Sequence, residues 1–187
     1  MNGLYVPLCR PFFSIFSFYN YLNIGSFKIL ISLKINPNKN KNMSKIVPLI
    51  SSGTTGPLGV LHLPRLWQKV SLEAAEKLAD GYPGIGAGYD SMVIDALGLN
   101  TDSVRAFITD SKPNYSQFEA WIREQDGVKL DESTISALND SITGYIHDDA
   151  TRQAILSANG LSDGDPKDAI NLNNLDDWLE FHASEIA

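Results

Sequence analysis

Residues 81–90 read GYPGIGAGYD, four glycines in ten positions. On one reading this stretch cradles a phosphate and the chain is an α/β nucleotide binder. On the other it is the hinge between two helices and the chain is all-α. A dinucleotide fingerprint needs Gly-x-Gly-x-x-Gly between a strand and a helix. Here Gly84, Gly86 and Gly88 alternate, and Tyr89 stands where the third glycine belongs. Asp90 puts a carboxylate where a phosphate would sit, and no Gly-Lys-Ser of the P-loop kind follows. The preceding segment, LPRLWQKVSLEAAEKLAD (63–80), has helical spacing, with Leu66, Trp67, Val70, Ala74 and Leu78 on one face and Pro64 in the first turn. The glycines therefore join helix to helix, where they permit positive φ and close backbone approach.

The same reading extends outward on both sides. YDSMVIDALGL (89–99) is a helix with Asp90 as its N-cap and Gly98 at its end. NTDSVRAFITD (100–110) restarts from Asn100 or Thr101, and KPNYSQFEAWIREQDGV (112–128) is capped by Asn114 and closed by Gly127. LDESTISALNDSITGYIHDD (130–149) starts from Asp131, with Ile135, Leu138, Ile142 and Ile146 aligned. HDDATRQAILSANGL (147–161) is capped by Asp148 and ended by Gly160. The last helix starts at Asn174 with Leu175, Trp178, Leu179, His182 and Ile186 as its apolar stripe. Upstream, SSGTTGPLG (51–59) reads as a loop or mobile arm. Pro48 demotes KIVPLI, the one strand-like run in this part. The expected fold is a compact all-α bundle of about seven short helices with no significant sheet.

The chain has 187 residues, and the first 42 differ from the rest. They contain no Asp or Glu and are rich in Phe, Ile, Lys, Asn and Tyr. One reading is translated upstream sequence, with the start at Met43; the other is a short signal or anchor around FFSIFSFY (12–19). Asn20, Asn23 and Lys28 interrupt that run, which is too short to span a bilayer. From Met43 on, ten Lys and Arg face 22 Asp and Glu. A surface so acidic repels phosphate backbones and anionic lipid, so neither nucleic acid nor membrane is an expected partner. This part holds no cysteine, Cys9 lying in the first segment, which fits a cytoplasmic protein and removes thiol nucleophiles and disulfides.

Several stretches together, GPLGVLHLPRLWQKVSLEA, LADGYPGIGAGYDSMVIDALGL, KPNYSQFEAWI and NLNNLDDWLEFH, resemble a family of bacterial proteins classed as domain of unknown function 5069. The likeness covers nearly all of residues 43–187 and none of the first 42. Its most specific element is Leu63, Pro64, Arg65 and Lys69. The resemblance implies a small, soluble, helical protein and brings no assigned activity or catalytic residue.

Arg65 and Lys69 share a helix face, four residues apart, with His62 just before them. In an acidic domain this basic cluster is the expected site for a small anionic metabolite or a protein partner, with Tyr82 and Tyr89 of the glycine turn beside it. The plainer alternative pairs Lys69 with Glu73 and ties Arg65 to a carboxylate of a neighbouring helix. A second function class is a small cofactor-free enzyme using His62, Tyr89 and Asp90 in acid–base roles, if the turn folds over the first helix. A third is a structural or assembly subunit, which requires an exposed apolar patch. No metal is expected. His62, His147 and His182 are scattered, and DGDPKDAINLNN (163–174) lacks the glycine and final glutamate of a calcium loop. No nucleophile motif of the Gly-x-Ser-x-Gly kind occurs.

Overall fold

The computed structural model describes residues 44–164 and 166–187; the expectations for Met43 and for a leader in residues 1–42 lie outside the described residues. The described part contains α1 (Leu63–Ala74), α2 (Tyr89–Leu97), α3 (Thr101–Ser111), α4 (Tyr115–Arg123), α5 (Glu132–Thr143), α6 (Asp149–Ala158) and α7 (Ala169–Glu185). Isolated bridges join Ile46 to Leu78, Thr55 to Leu61 and Ile146 to Asp168, and there is no strand among the described residues. The fold is a compact all-α one.

Helix starts follow local chemistry. The side chains of Asn100, Asn114, Asp131, Asp148 and Asp168 each accept a hydrogen bond from the backbone N–H three residues on. Each relieves one of the N–H groups a helix leaves unpaired at its start. Gln117 returns the bond to the Asn114 N–H, completing a capping box. Gly98 and Gly160 follow α2 and α6 with positive φ, as expected of left-handed terminators.

Helix ends depart from expectation where tertiary contacts decide. α1 stops at Ala74 although AEKL continues a helix-forming sequence. Residues 77–79 turn away to bond Ile46, whose N–H reaches the Lys77 carbonyl at 2.6 Å while its carbonyl accepts from Ala79 at 3.1 Å. Leu78 in that bridge and Val47 beside it are both buried. α4 ends at Arg123, short of Gly127, and α5 ends at Thr143, leaving Ile146 62% exposed instead of aligned with Ile142. α7 starts at Ala169 and not Asn174, because Asp168 caps it and Ala169 and Leu172 are buried.

α1 lies at the centre, packed on α2, α3 and α4; α5 packs on α2 and α7, and α6 on α7. The core gathers Leu63, Leu66 and Val70 of α1 with Val93 and Leu97 of α2, Ile108 of α3, Phe118 and Ile122 of α4 and Ile142 of α5. Residues 51–59 are no free arm: Ser52 and Leu58 are buried, and the Leu58 N–H donates to Glu119 at 3.2 Å. The Leu175–Ile186 stripe of α7 mostly faces away from the body. Trp178 is 55% and Ile186 65% exposed, while Ala169, Leu172 and Asp177 on the other side are buried.

Candidate functional site

The glycine turn folds back over α1. The Gly84 N–H donates to Glu73 at 3.2 Å, and a side chain at Gly84 would collide with that carboxylate. The Gly86 N–H donates to Asp90 Oδ2 at 2.8 Å. This amide, which a phosphate loop would offer to its ligand, is thus filled by the chain's own carboxylate. The turn therefore serves as a helix–helix hinge with close backbone approach.

Asp90 does not cap α2; Gly88 occupies that position without a side-chain bond. Asp90 points instead toward α1. Its Oδ1 lies 2.8 Å from His62 Nε2 and its Oδ2 2.5 Å from Lys69 Nζ, all three residues being buried. Lys69 thus pairs across to Asp90 and not along its helix to Glu73, which binds Arg105. Arg65 reaches α7 in a bidentate pair with Asp177, 2.7 Å to Oδ2 and 2.9 Å to Oδ1, and donates also to the Pro48 and Ile50 carbonyls. The expected free cationic cluster is not present. Both cations are under one-tenth exposed, and each is matched to a buried carboxylate.

His62 sits between two partners. Its Nδ1 is 3.0 Å from the Ser52 hydroxyl and its Nε2 faces Asp90. A carboxylate can only accept, so Nε2 carries the ring hydrogen and Nδ1 presents its lone pair to Ser52. Burial pushes the pKa of Asp90 up, but its bonds to His62 and the Lys69 charge overcome this and hold it below the ordinary carboxylate value. For His62 burial wins: its pKa falls below 6.5 although Asp90 pulls it upward, so the ring is neutral. The His62 backbone is left-handed, φ 66°, at the start of α1. A non-glycine residue there carries strain of order 1–3 kcal/mol, tolerated where the surroundings over-determine it.

Burial of His62 has a consequence for stability. A histidine whose folded pKa is depressed binds fewer protons folded than unfolded, so its contribution is present above about pH 6.5 and is lost as pH falls below. Asp177, pushed up by burial against the pull of Arg65, contributes a slope of opposite sign. The melting temperature is therefore expected to drop more steeply on acidification below about pH 6.5 in the wild type than in His62→Gln, as measured by calorimetry. Parallel curves for the two proteins would refute a neutral buried His62.

These groups border a cavity of about 490 Å³ between the glycine turn, α1 and α7. His62, Arg65, Lys69, Tyr82, Tyr89 and Asp90 all line it, so residues singled out from sequence do converge. Tyr89 packs 5.3 Å from the His62 ring, but its hydroxyl donates to the Ile142 carbonyl at 3.0 Å and burial raises its pKa to about 12. It forms wall and cannot readily move a proton. Tyr82 is also pushed up, by burial first and then by Asp177. Ser52, Tyr145, His147, Asn173, Asp176 and Asp177 also line it and were not legible as site residues. Ser52 looked like loop filler, and the others sit on segments whose approach to α1 has no local signal. Among the described residues no three His, Cys, Asp or Glu side chains converge as metal ligands, and no helix is long and apolar enough to cross a membrane. No known family model matches the chain, and no curated protein matches it either.

Proposed function

We propose that the chain is a small acid–base enzyme whose substrate occupies the cavity between the glycine turn, α1 and α7, with His62 as general base. The observation that carries this reading is the His62 ring: neutral, fixed between Asp90 and Ser52, and bordering a cavity of ligand size. A histidine acting as base must be unprotonated and must be held at hydrogen-bond distance from the proton it takes. Asp90 fixes the tautomer and would stabilise the imidazolium when it forms. The resemblance to the bacterial family brings no activity, so this reading stands on the site alone.

The ion pairs also bear on the ligand. An anion at Arg65 or Lys69 would have to displace Asp177 or Asp90 from buried pairs. Asp176, by contrast, lines the cavity, is exposed and has no ion pair among the described residues. The substrate is accordingly uncharged or cationic, in place of the anionic metabolite expected from the basic cluster. A thermal-shift screen of neutral, cationic and anionic metabolites tests this. A ligand at 100 times its Kd adds about 2.7 kcal/mol. Hits should be neutral or cationic, should move the His62 ring signals in NMR, and should be lost in Ala87→Trp, which puts a bulky side chain on an exposed residue of the cavity lining. Hits that survive Ala87→Trp, or that are only anions depending on Arg65, overturn the reading.

A second reading, an interaction module for a protein partner, draws on α7, where Trp178, Leu179, Phe181 and Ile186 are exposed. Substituting Trp178→Glu would then abolish a self- or partner association seen by sedimentation, and leave the cavity's ligands unaffected.

A further inference from the structure

We infer that Ser52 is a nucleophile, attacking the acyl carbon of an uncharged or cationic ester while His62 removes its proton. This rests on the reading of His62 as base and adds the reaction class. The sequence offers no nucleophile motif; the arrangement exists only because the 51–59 loop packs against the start of α1. There Ser52, 1% exposed, is placed with its hydroxyl 3.0 Å from Nδ1, the ring nitrogen that the Asp90 bond leaves unprotonated. A hydroxyl facing a bare imidazole nitrogen donates to it, so its oxygen lone pairs stay available. Nucleophile, base and orienting carboxylate stand in unbroken hydrogen-bond contact, the diagnostic arrangement for an activated serine. Lys69 and the Gly86 N–H hold Asp90 from its other oxygen, so the carboxylate cannot swing away from His62. Ser52 also borders the cavity in which a substrate would sit.

The step balances without a further reactant. Ser52 Oγ bonds to the carbonyl carbon and its proton passes to Nδ1. As the carbon–oxygen bond of the ester breaks, Nδ1 returns that proton to the leaving alcohol. Water then repeats the sequence on the acyl-serine, releasing the acid and restoring the hydroxyl.

The test is phosphonylation of the full chain by diisopropyl fluorophosphate, in which a Ser52 Oγ–phosphorus bond forms, fluoride leaves and Nδ1 takes the proton. Intact mass and peptide mapping should show one adduct, on Ser52, absent from Ser52→Ala. The rate should fall on the order of 10²- to 10⁴-fold in His62→Gln, the usual size of a general-base contribution. Ser52→Cys covers the case in which the alanine variant fails to fold. It places a thiol beside His62 in a region with no other cysteine. That thiol should react with iodoacetamide faster than Cys9, and the excess should vanish when His62→Gln is added. Absence of an adduct at Ser52, an adduct rate indifferent to His62, or a position-52 thiol no faster than Cys9 overturns the proposal. If cavity ligands still move the His62 signals while Ser52 stays unlabelled, the nucleophile falls and the base stands. If neither occurs, both fall.

Discussion

Arg65→Ala is expected to lower the stability of the fold by about 3–5 kcal/mol in urea unfolding, the loss typical of stripping one partner from a buried ion pair. The guanidinium makes four hydrogen bonds, two to Asp177 and one each to the Pro48 and Ile50 carbonyls. Its removal leaves a carboxylate that is 3% exposed without a counter-charge and orphans two carbonyl acceptors. Total stability of a domain this size is of order 5–15 kcal/mol, so the variant would sit near the unfolding threshold at 37 °C. Arg65→Lys should recover only part of the loss, because an ammonium cannot grip both carboxylate oxygens in a planar fork. Arg65→Met combined with Asp177→Leu should recover more, since it removes the stranded charge along with its partner. A loss below about 1 kcal/mol for Arg65→Ala, the range of exposed pairs, would mean that α7 is not tied to α1 through this contact.

Asp90→Asn is expected to reduce the rate of Ser52 phosphonylation on the order of 10⁴-fold, the scale seen when the orienting carboxylate of a triad becomes an amide. The reason is tautomeric. Asp90 accepts from His62 Nε2, Lys69 Nζ and the Gly86 N–H. An asparagine has one acceptor oxygen, which Lys69 and Gly86 claim, so its NH₂ turns to His62 and Nε2 becomes the acceptor. The hydrogen moves to Nδ1, which then donates to Ser52 and cannot take its proton. The ring also loses the charge that would stabilise imidazolium. A structural role alone would lower the melting temperature without a selective effect on labelling. The informative comparison is therefore the labelling rate of folded Asp90→Asn across pH, which should lack the rise that neutral His62 supplies to the wild type.

Much of the fold is legible in the sequence because its decisions are local. Asn100, Asn114, Asp131 and Asp148 start helices through a bond to an N–H only three residues away. Gly98 and Gly160 adopt the left-handed conformation that glycine adopts most easily. Misplaced features have non-local causes. α1 ends at Ala74 because a distant segment at Ile46 captures residues 77–79. The stripe from Leu175 to Ile186 has helical spacing, yet α7 buries its other side because Asp177 is drawn to Arg65, 112 residues away. Periodicity reveals that a helix has an apolar side; it does not reveal whether the body has surface left to cover it.

The candidate site divides in the same way. His62, Arg65, Lys69, Tyr82, Tyr89 and Asp90 stand out as unusual residue types near a glycine turn, and they do meet around one cavity. Their roles depend on partners the sequence cannot show. Asp90 looks like a cap and is instead the counter-ion of Lys69 and the orienter of His62. Arg65 and Lys69 look like free cations and are both neutralised. Ser52 carries no signal and becomes the neighbour of His62 only when its loop packs down. By itself the sequence determined the all-helical class and most helix starts, because backbone capping and apolar spacing act within a few residues. Only the tertiary structure decided which charges pair, which face of α7 is buried and which histidine nitrogen is left bare. Those are set by side chains that come within 3 Å across tens of residues of chain.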